Sequence, residues 1–217
     1  MDGASLLSIQ VGTIQPLGPQ GVASAFVKHR VDGPVTVGPL GLSGDEQADL
    51  AVHGGRDMAV YAYAAAHYDA WRDDFPEHRD RFVAGGVGEN LTVAGMSEVD
   101  LCVGDVHRIG SATLQVCQPR QPCFKFALRF GDNRLPKAMV RNGRAGWYYR
   151  VIEPGTIAAG DRVEAIERPH PTLRFERLVE IVNFRNPSRD ELEAMAAMEG
   201  LAERLRAGAR QALLAPR

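Results

Sequence analysis

Glycine and proline leave this chain little room for anything long. Over roughly its first two thirds, short apolar runs are broken every several residues by one or the other, and the 217 residues include 23 Gly and 13 Pro. Both disfavour helix interiors. The rhythm predicts a mainly β fold, a small barrel or sandwich with a few helices. "DVHRIGSATLQV" is the clearest hairpin: two β-prone runs flank Gly110-Ser111, and Gly in the first turn position suits a type II′ turn. "GWYYRVIEPGTIAAGDRVEAIE" reads as two further strands joined through Pro154-Gly155. Two helices interrupt the pattern. In "YAYAAAHYDAWRDDFP", Tyr61, Ala64, Tyr68, Trp71 and Phe75 recur at helical spacing, and Pro76 ends the run. "LPKAMVRNG" is a shorter helix, stopped at Gly143.

The composition then shifts. "ERPHPT", 167–172, carries two prolines and reads as a linker, which divides the chain into 1–167 and a helical segment at 168–217. Leu178, Ile181 and Val182 share one helix face. "SRDE" at 188–191 is a capping box, which starts a helix that ends near Gly200. Leu201, Leu205, Ala209 and Leu213 form the last stripe. Three short helices bury little core alone, so they are expected to pack together, on the β body or on another subunit.

A hydrophobic content of 45% is ample for a core, and a net charge of -2 argues against a general grip on nucleic acid, leaving room for a local basic pocket. No stretch approaches the roughly 18 apolar residues of a membrane span, and the first residues lack the pattern of a secretory signal. A cytoplasmic protein is expected. Cys102, Cys117 and Cys123 are an odd number, and a disulfide framework is not expected.

Chemistry concentrates in "QPRQPCFK", residues 118–125. Arg120 and Lys125 flank Cys123 and would favour its thiolate, the form that attacks or binds metals. Pro119 and Pro122 stiffen the loop. The alternative is a buried cysteine acting as a small hydrophobe, the reading that suits the strand-like surroundings of Cys102 and Cys117. In "GLSGDEQADLAVHGGRDMAV", 41–60, glycines allow backbone N–H groups to approach a ligand, and His53 is a candidate donor to a phosphate or a pterin-type ring. A surface loop with turn glycines explains the spacing equally well, and no Walker motif follows. "GGVGENLTV", 85–93, sets Glu89-Asn90 either at a barrel mouth or in a turn entering a strand. No Cys-x-x-Cys or His-x-x-x-His spacing supports structural zinc. A hydrolase pairing Cys123 with His53 stays open.

These stretches, with "CVGDVHRIG", occur in the order seen in MOSC-domain proteins, a family named for the C-terminal domain of molybdenum cofactor sulfurase. The chain resembles the YiiM-type subfamily, with its three C-terminal helices, from about residue 6 onward. The resemblance implies a β-barrel domain that binds molybdenum cofactor, with Cys123 as the protein ligand to molybdenum. It implies Arg120, Lys125 and the backbone of Gly54 and Gly55 as donors to the cofactor's phosphate, with His53 and Asn90 as further contacts and Glu89 in a polar catalytic role. The chain departs from the family at Arg56-Asp57-Met58, where Met58 stands for the usual cation. Arg56 either takes over that anion contact or the contact is lost. The resemblance further implies reduction of small N-hydroxylated compounds, such as hydroxylaminopurines and amidoximes. Three cysteines cannot hold a four-cysteine cluster, so electrons would come from a separate flavin- or iron-sulfur-containing reductase. A carrier of cofactor or sulfur without turnover is the alternative. The appended helices would cover the barrel mouth, bind that partner or form a homodimer.

Overall fold

The computed structural model describes residues 3–49 and 54–215. Its strands are β1 (Ser5–Val11), β2 (Gln15–Leu17), β3 (Val22–Ser24), β4 (His29–Val31), β5 (Val35–Gly38), β6 (Gly41–Leu42), β7 (Val60–Ala64), β8 (Leu91–Ala94), β9 (Val106–Ile109), β10 (Ala112–Pro119), β11 (Trp147–Glu153), β12 (Gly155–Ile157) and β13 (Val163–Glu167). The helices are α1 (His67–Asp74), α2 (Phe124–Phe130), α3 (Arg134–Asn142), α4 (Phe175–Phe184), α5 (Arg189–Ala197) and α6 (Glu203–Leu214). The fold is mainly β, as the glycine and proline rhythm implies.

Eight strands form one sheet in the order β13-β9-β10-β11-β7-β8-β1-β4. Every pair is antiparallel except β7 with β8. Parallel neighbours need a crossover connection, and here α1 supplies it. The sheet curls until its ends meet, but among the described residues no ladder joins β13 to β1. Ser5 bridges Arg162, and Leu6 N–H donates to the Asp161 carbonyl at 2.9 Å. Val163 N–H reaches the Ala4 carbonyl at 3.0 Å, just before β1 begins, and the rest of β13 is exposed. The expected barrel is therefore incompletely closed.

The β9–β10 hairpin forms with Ala112 opposite Ile109, a two-residue loop at Gly110-Ser111 in which Gly110 alone has positive φ. Two readings change. "GWYYRVIEPGTIAAGDRVEAIE" holds three strands, and Pro154-Gly155 is no hairpin: β12 leaves β11 and pairs with β5 in a separate three-stranded sheet. Tyr61 and Ala64 belong to strand β7, and the helix begins only at His67. β7 lies inside the sheet with all five residues buried, so polar alternation is absent and the run mimics a helical stripe.

The faces of β7 divide the core. Val60, Ala62 and Ala64 point into the curl with Leu6, Leu91 and Trp147. Tyr61 and Tyr63 point outward into a second cluster with Trp71 of α1, Phe126 and Phe130 of α2 and Met139 of α3. α3 ends on left-handed Gly143, as expected. In the C-terminal segment, Leu178 and Ile181 of α4 join the inner cluster and Val182 packs on it. The capping box at Ser188 and Glu191 is formed, while Leu201 precedes α6 rather than opening it. Arg168, in the stretch that reads as a linker, is held by Asp105 at 2.7 Å. No helix among the described residues is long and apolar enough to cross a membrane.

Candidate functional site

The cysteine motif sits where β10 leaves the sheet. Pro119 is the last paired residue, opposite Trp147. Cys123 then adopts an extended conformation at the start of α2 and is partly exposed. The loop forms one wall of a cleft of about 110 Å³, lined by Arg120, Gln121, Cys123 and Lys125, with Tyr61 and Tyr148 from the sheet. Phe26, Lys28 and residues 46–49 complete the lining.

Arg120 anchors the site. It is buried, and its guanidinium lies 4.7 Å from the Tyr61 ring centroid, 5.0 Å from Phe26 and 5.9 Å from Phe126. Aromatic faces attract a cation, more strongly where water is excluded. Nη1 also donates to the Val87 carbonyl. Burial opposes the charge, but Tyr61, Tyr148 and Cys123 around it raise the pKa above the ordinary arginine value. The carbonyl reaches Arg120 because the preceding turn is tight: Gly88 has φ +87°, and a Cβ there would lie 3.1 Å from the Phe26 ring.

Lys28 is a second buried cation, paired with Asp45; their side chains are 7% and 6% exposed. Burial, then the nearby Arg120 charge, lowers its pKa, against the pull of Asp45. Asp45 is fixed by Gly12 N–H at 2.7 Å and by Asn90 Nδ2 at 2.9 Å. Asn90 also accepts from Tyr61 N–H at 3.1 Å and donates to the Gln10 carbonyl at 3.2 Å. It is therefore scaffold behind the wall, not a residue at a barrel mouth. Glu89 likewise lies inside. Its carboxylate accepts from Tyr68, from Gly85 N–H at 2.6 Å, Val87 N–H at 3.2 Å and Thr92 at 3.2 Å. Burial raises its pKa while these donors pull it back. Glu89 holds the turn that presents Val87 to Arg120, and does not line the cleft; the turn-into-strand reading is the one that holds.

Gly54, Gly55 and Arg56 are not brought to the cleft lining. Gly55, at φ +79°, starts a 3-10 turn at Arg56–Met58, and Arg56 is exposed. Asp57 of that turn is gripped by Arg150 at 2.6 Å. His53 lies outside the described residues, and no described histidine lines the cleft. None of the cysteines is in a disulfide. Cys102 and Cys117 are buried, and burial pushes both thiols up. Glu77, His78 and Asp132 converge elsewhere on the surface, but Arg134 already bridges Glu77 and Asp132. Sequence reasoning missed Lys28, Asp45 and Tyr148. Asp45 carried a signal, lying within the glycine-bracketed acidic run; a lone lysine far from the motif carried none.

Comparison with known proteins gives the family and the fold. The family model described as MOSC domain matches residues 49–164. "Protein YiiM" of Escherichia coli K12 is 41% identical over 162 residues, 75% of this chain and 72% of that protein. A protein named "Reductase" from Gibberella moniliformis is 39% identical over 84% of this chain, which spans only 33% of that relative. The crystal structure of YiiM from Geobacillus stearothermophilus superposes with a TM-score of 0.82 at 30% identity, covering 97% of this chain and 99% of that one. YiiM from Escherichia coli gives 0.78 at 30% identity, over 93% of each chain. The cysteine loop, both tyrosines and the Gly85–Glu89 turn fall inside the matched region, and the chain belongs to the MOSC-domain family and is of its YiiM type.

Proposed function

We propose that this protein is a reductase of small N-hydroxylated compounds that holds molybdenum cofactor in the Cys123 cleft. The observation that carries the reading is the joining of a partly exposed thiol to fixed buried cations in one cleft. These residues fit the group. A thiolate is a soft ligand suited to a metal that already carries sulfur. Arg120, Lys28 and Lys125 supply positive charge for a phosphate. When bound, the cofactor supplies the two-electron chemistry that cleaves the N–O bond.

The chain's own residues bind and orient. Arg120 is held by three rings and a carbonyl, so its charge needs no rearrangement when an anion arrives. Lys28, shared with Asp45, adds charge to the same cleft. Tyr148, part-exposed on the cleft lining, offers flat apolar surface on which a planar ring would stack. Electrons come from a separate flavin- or iron-sulfur-containing partner. The name "Reductase" of the fungal relative supports reduction as the reaction class.

The test is molybdenum and pterin content per chain, for wild type and Cys123→Ser made in a cofactor-producing host. Near-stoichiometric metal in wild type, lost in the variant, is expected. Hydroxylaminopurine reduction with an artificial electron donor should fall at least a hundredfold with it. Loaded wild type that reduces no N-hydroxylated compound would mark a carrier instead.

A further inference from the structure

The start of α6 is fastened to the strand that leads into the cysteine loop and to the 3-10 turn at Arg56–Met58. Ala202 N–H donates to the Cys117 carbonyl at 3.0 Å, on the strand that leads into the loop. Glu203 N–H donates to Asp57 Oδ2 at 2.9 Å. Asp57 is held in turn by Arg150 of β11, whose Nε donates to Oδ1 at 2.8 Å. The first N–H groups of a helix have no partners within it; here the β body provides them.

With the backbone pinned at 202 and 203, the next side chain reaches the loop itself. Arg204 Nη2 donates to Gln121 Oε1 at 3.1 Å, and Gln121 lines the cleft. The Arg204 charge is also felt at Tyr148, on the cleft wall. A single exposed bond of this kind adds little to stability. Its position is what matters: two main-chain anchors fix the origin of the side chain beside the mouth. A guanidinium has five donors, and Gln121 takes one.

We infer that Arg204, carried by α6, is a ligand-positioning residue of the Cys123 cleft, and that the group it meets is a phosphate ester. This rests on the cleft's being the cofactor site proposed above. Arg120 and Lys28 are engaged with Val87 and Asp45, deep in the walls. Arg204 meets the same anion from the mouth, on a segment outside the region the MOSC family model matches. The phosphate belongs either to the cofactor or to a phosphorylated substrate.

The experiment compares wild type, Arg204→Gln and Arg204→Lys, all checked for unchanged thermal unfolding. Molybdenum loss from loaded protein on dilution should be about tenfold faster in Arg204→Gln, and Arg204→Lys, which keeps the charge, should restore most of the retention. If retention is unchanged but KM for an N-hydroxylated nucleoside monophosphate rises about tenfold, with kcat and the KM of the free base unchanged, the phosphate is the substrate's. No change in either overturns the inference. If wild type itself takes up no metal, the proposed function falls. Arg204 is then judged by the affinity of the unloaded protein for inorganic pyrophosphate, and equal affinity in wild type and Arg204→Gln overturns its role.

Discussion

A buried ionisable group is held by its neighbours or it gives up its charge, and this protein does both. Arg120 keeps its charge among aromatic rings beside Cys123. His107 gives it up. Its Nδ1 meets the Tyr149 hydroxyl at 2.7 Å, its Nε2 has no partner among the described residues, and burial, with Arg168 adding to it, depresses its pKa to about 4. The folded protein therefore refuses a proton that the unfolded chain accepts near the ordinary histidine value. Stability from this group is complete above that value and is lost as pH falls towards 4. The loss between pH 7 and pH 5 is expected to be on the order of 2 kcal/mol. Denaturant midpoints at the two pH values read it directly, and a His107→Gln variant should flatten the difference. An equal slope in that variant would assign the acid sensitivity elsewhere. At this scale the cysteine motif was legible because its cations adjoin it in sequence. Lys28 was not, because only folding brings it into the cleft with Arg120.

Among the elements, the turn at residues 85–88 does the most for the site. Its carbonyl reaches Arg120 only because Gly88 takes positive φ against the Phe26 ring. Gly88→Ala introduces backbone strain and a close contact together. About 1–3 kcal/mol should be lost, with weaker retention of the cofactor proposed above at temperatures where the variant is still folded; unaltered melting would show the turn to be more forgiving. The capping box at Ser188 makes the contrasting case. Ser188→Ala should cost about 1 kcal/mol, read as a lower denaturant midpoint, and leave retention of the proposed cofactor unchanged. Both the hairpin at Gly110-Ser111 and this cap are local devices, and local devices are readable from a short window. Strand β7 is not local. Its buried faces remove the alternation that identifies a strand, and the tyrosines that mimic a helix stripe are the floor of the outer aromatic cluster.

For the whole molecule, Asp57 ties three parts together: the 3-10 turn, β11 through Arg150, and the start of α6 through Glu203 N–H. Its backbone carbonyl also accepts from Gln118 at 2.8 Å. Replacing Asp57 with Ala removes the carboxylate and leaves Arg150 and the helix N–H without it. A loss of roughly 1–3 kcal/mol is expected, together with faster amide hydrogen exchange at Ala202 and Glu203. Unchanged exchange there would mean that α6 is held without Asp57, by the Ala202–Cys117 main-chain bond and its apolar face. The departure at Arg56-Asp57-Met58 acquires a different meaning in this light. Among the described residues it is the aspartate whose side chain is gripped, by Arg150 and by the start of α6.

The sequence alone determined the mainly β character, the hairpin, the helical C-terminal segment with its cap, and the cysteine motif as the place to look. Each rests on residues close enough in the chain to constrain one another: a glycine in a turn, a serine three residues before its glutamate, cations beside a thiol. The tertiary structure decided the rest. Burial on both faces made β7 a strand. Among the described residues no ladder joined β13 to β1, which left the curl incompletely closed. The inward turn of Glu89 and Asn90 made them scaffold, and the pinning of α6 brought Arg204 to the cysteine loop. All four depend on what lies across the core from a residue, and nothing in its local sequence records that.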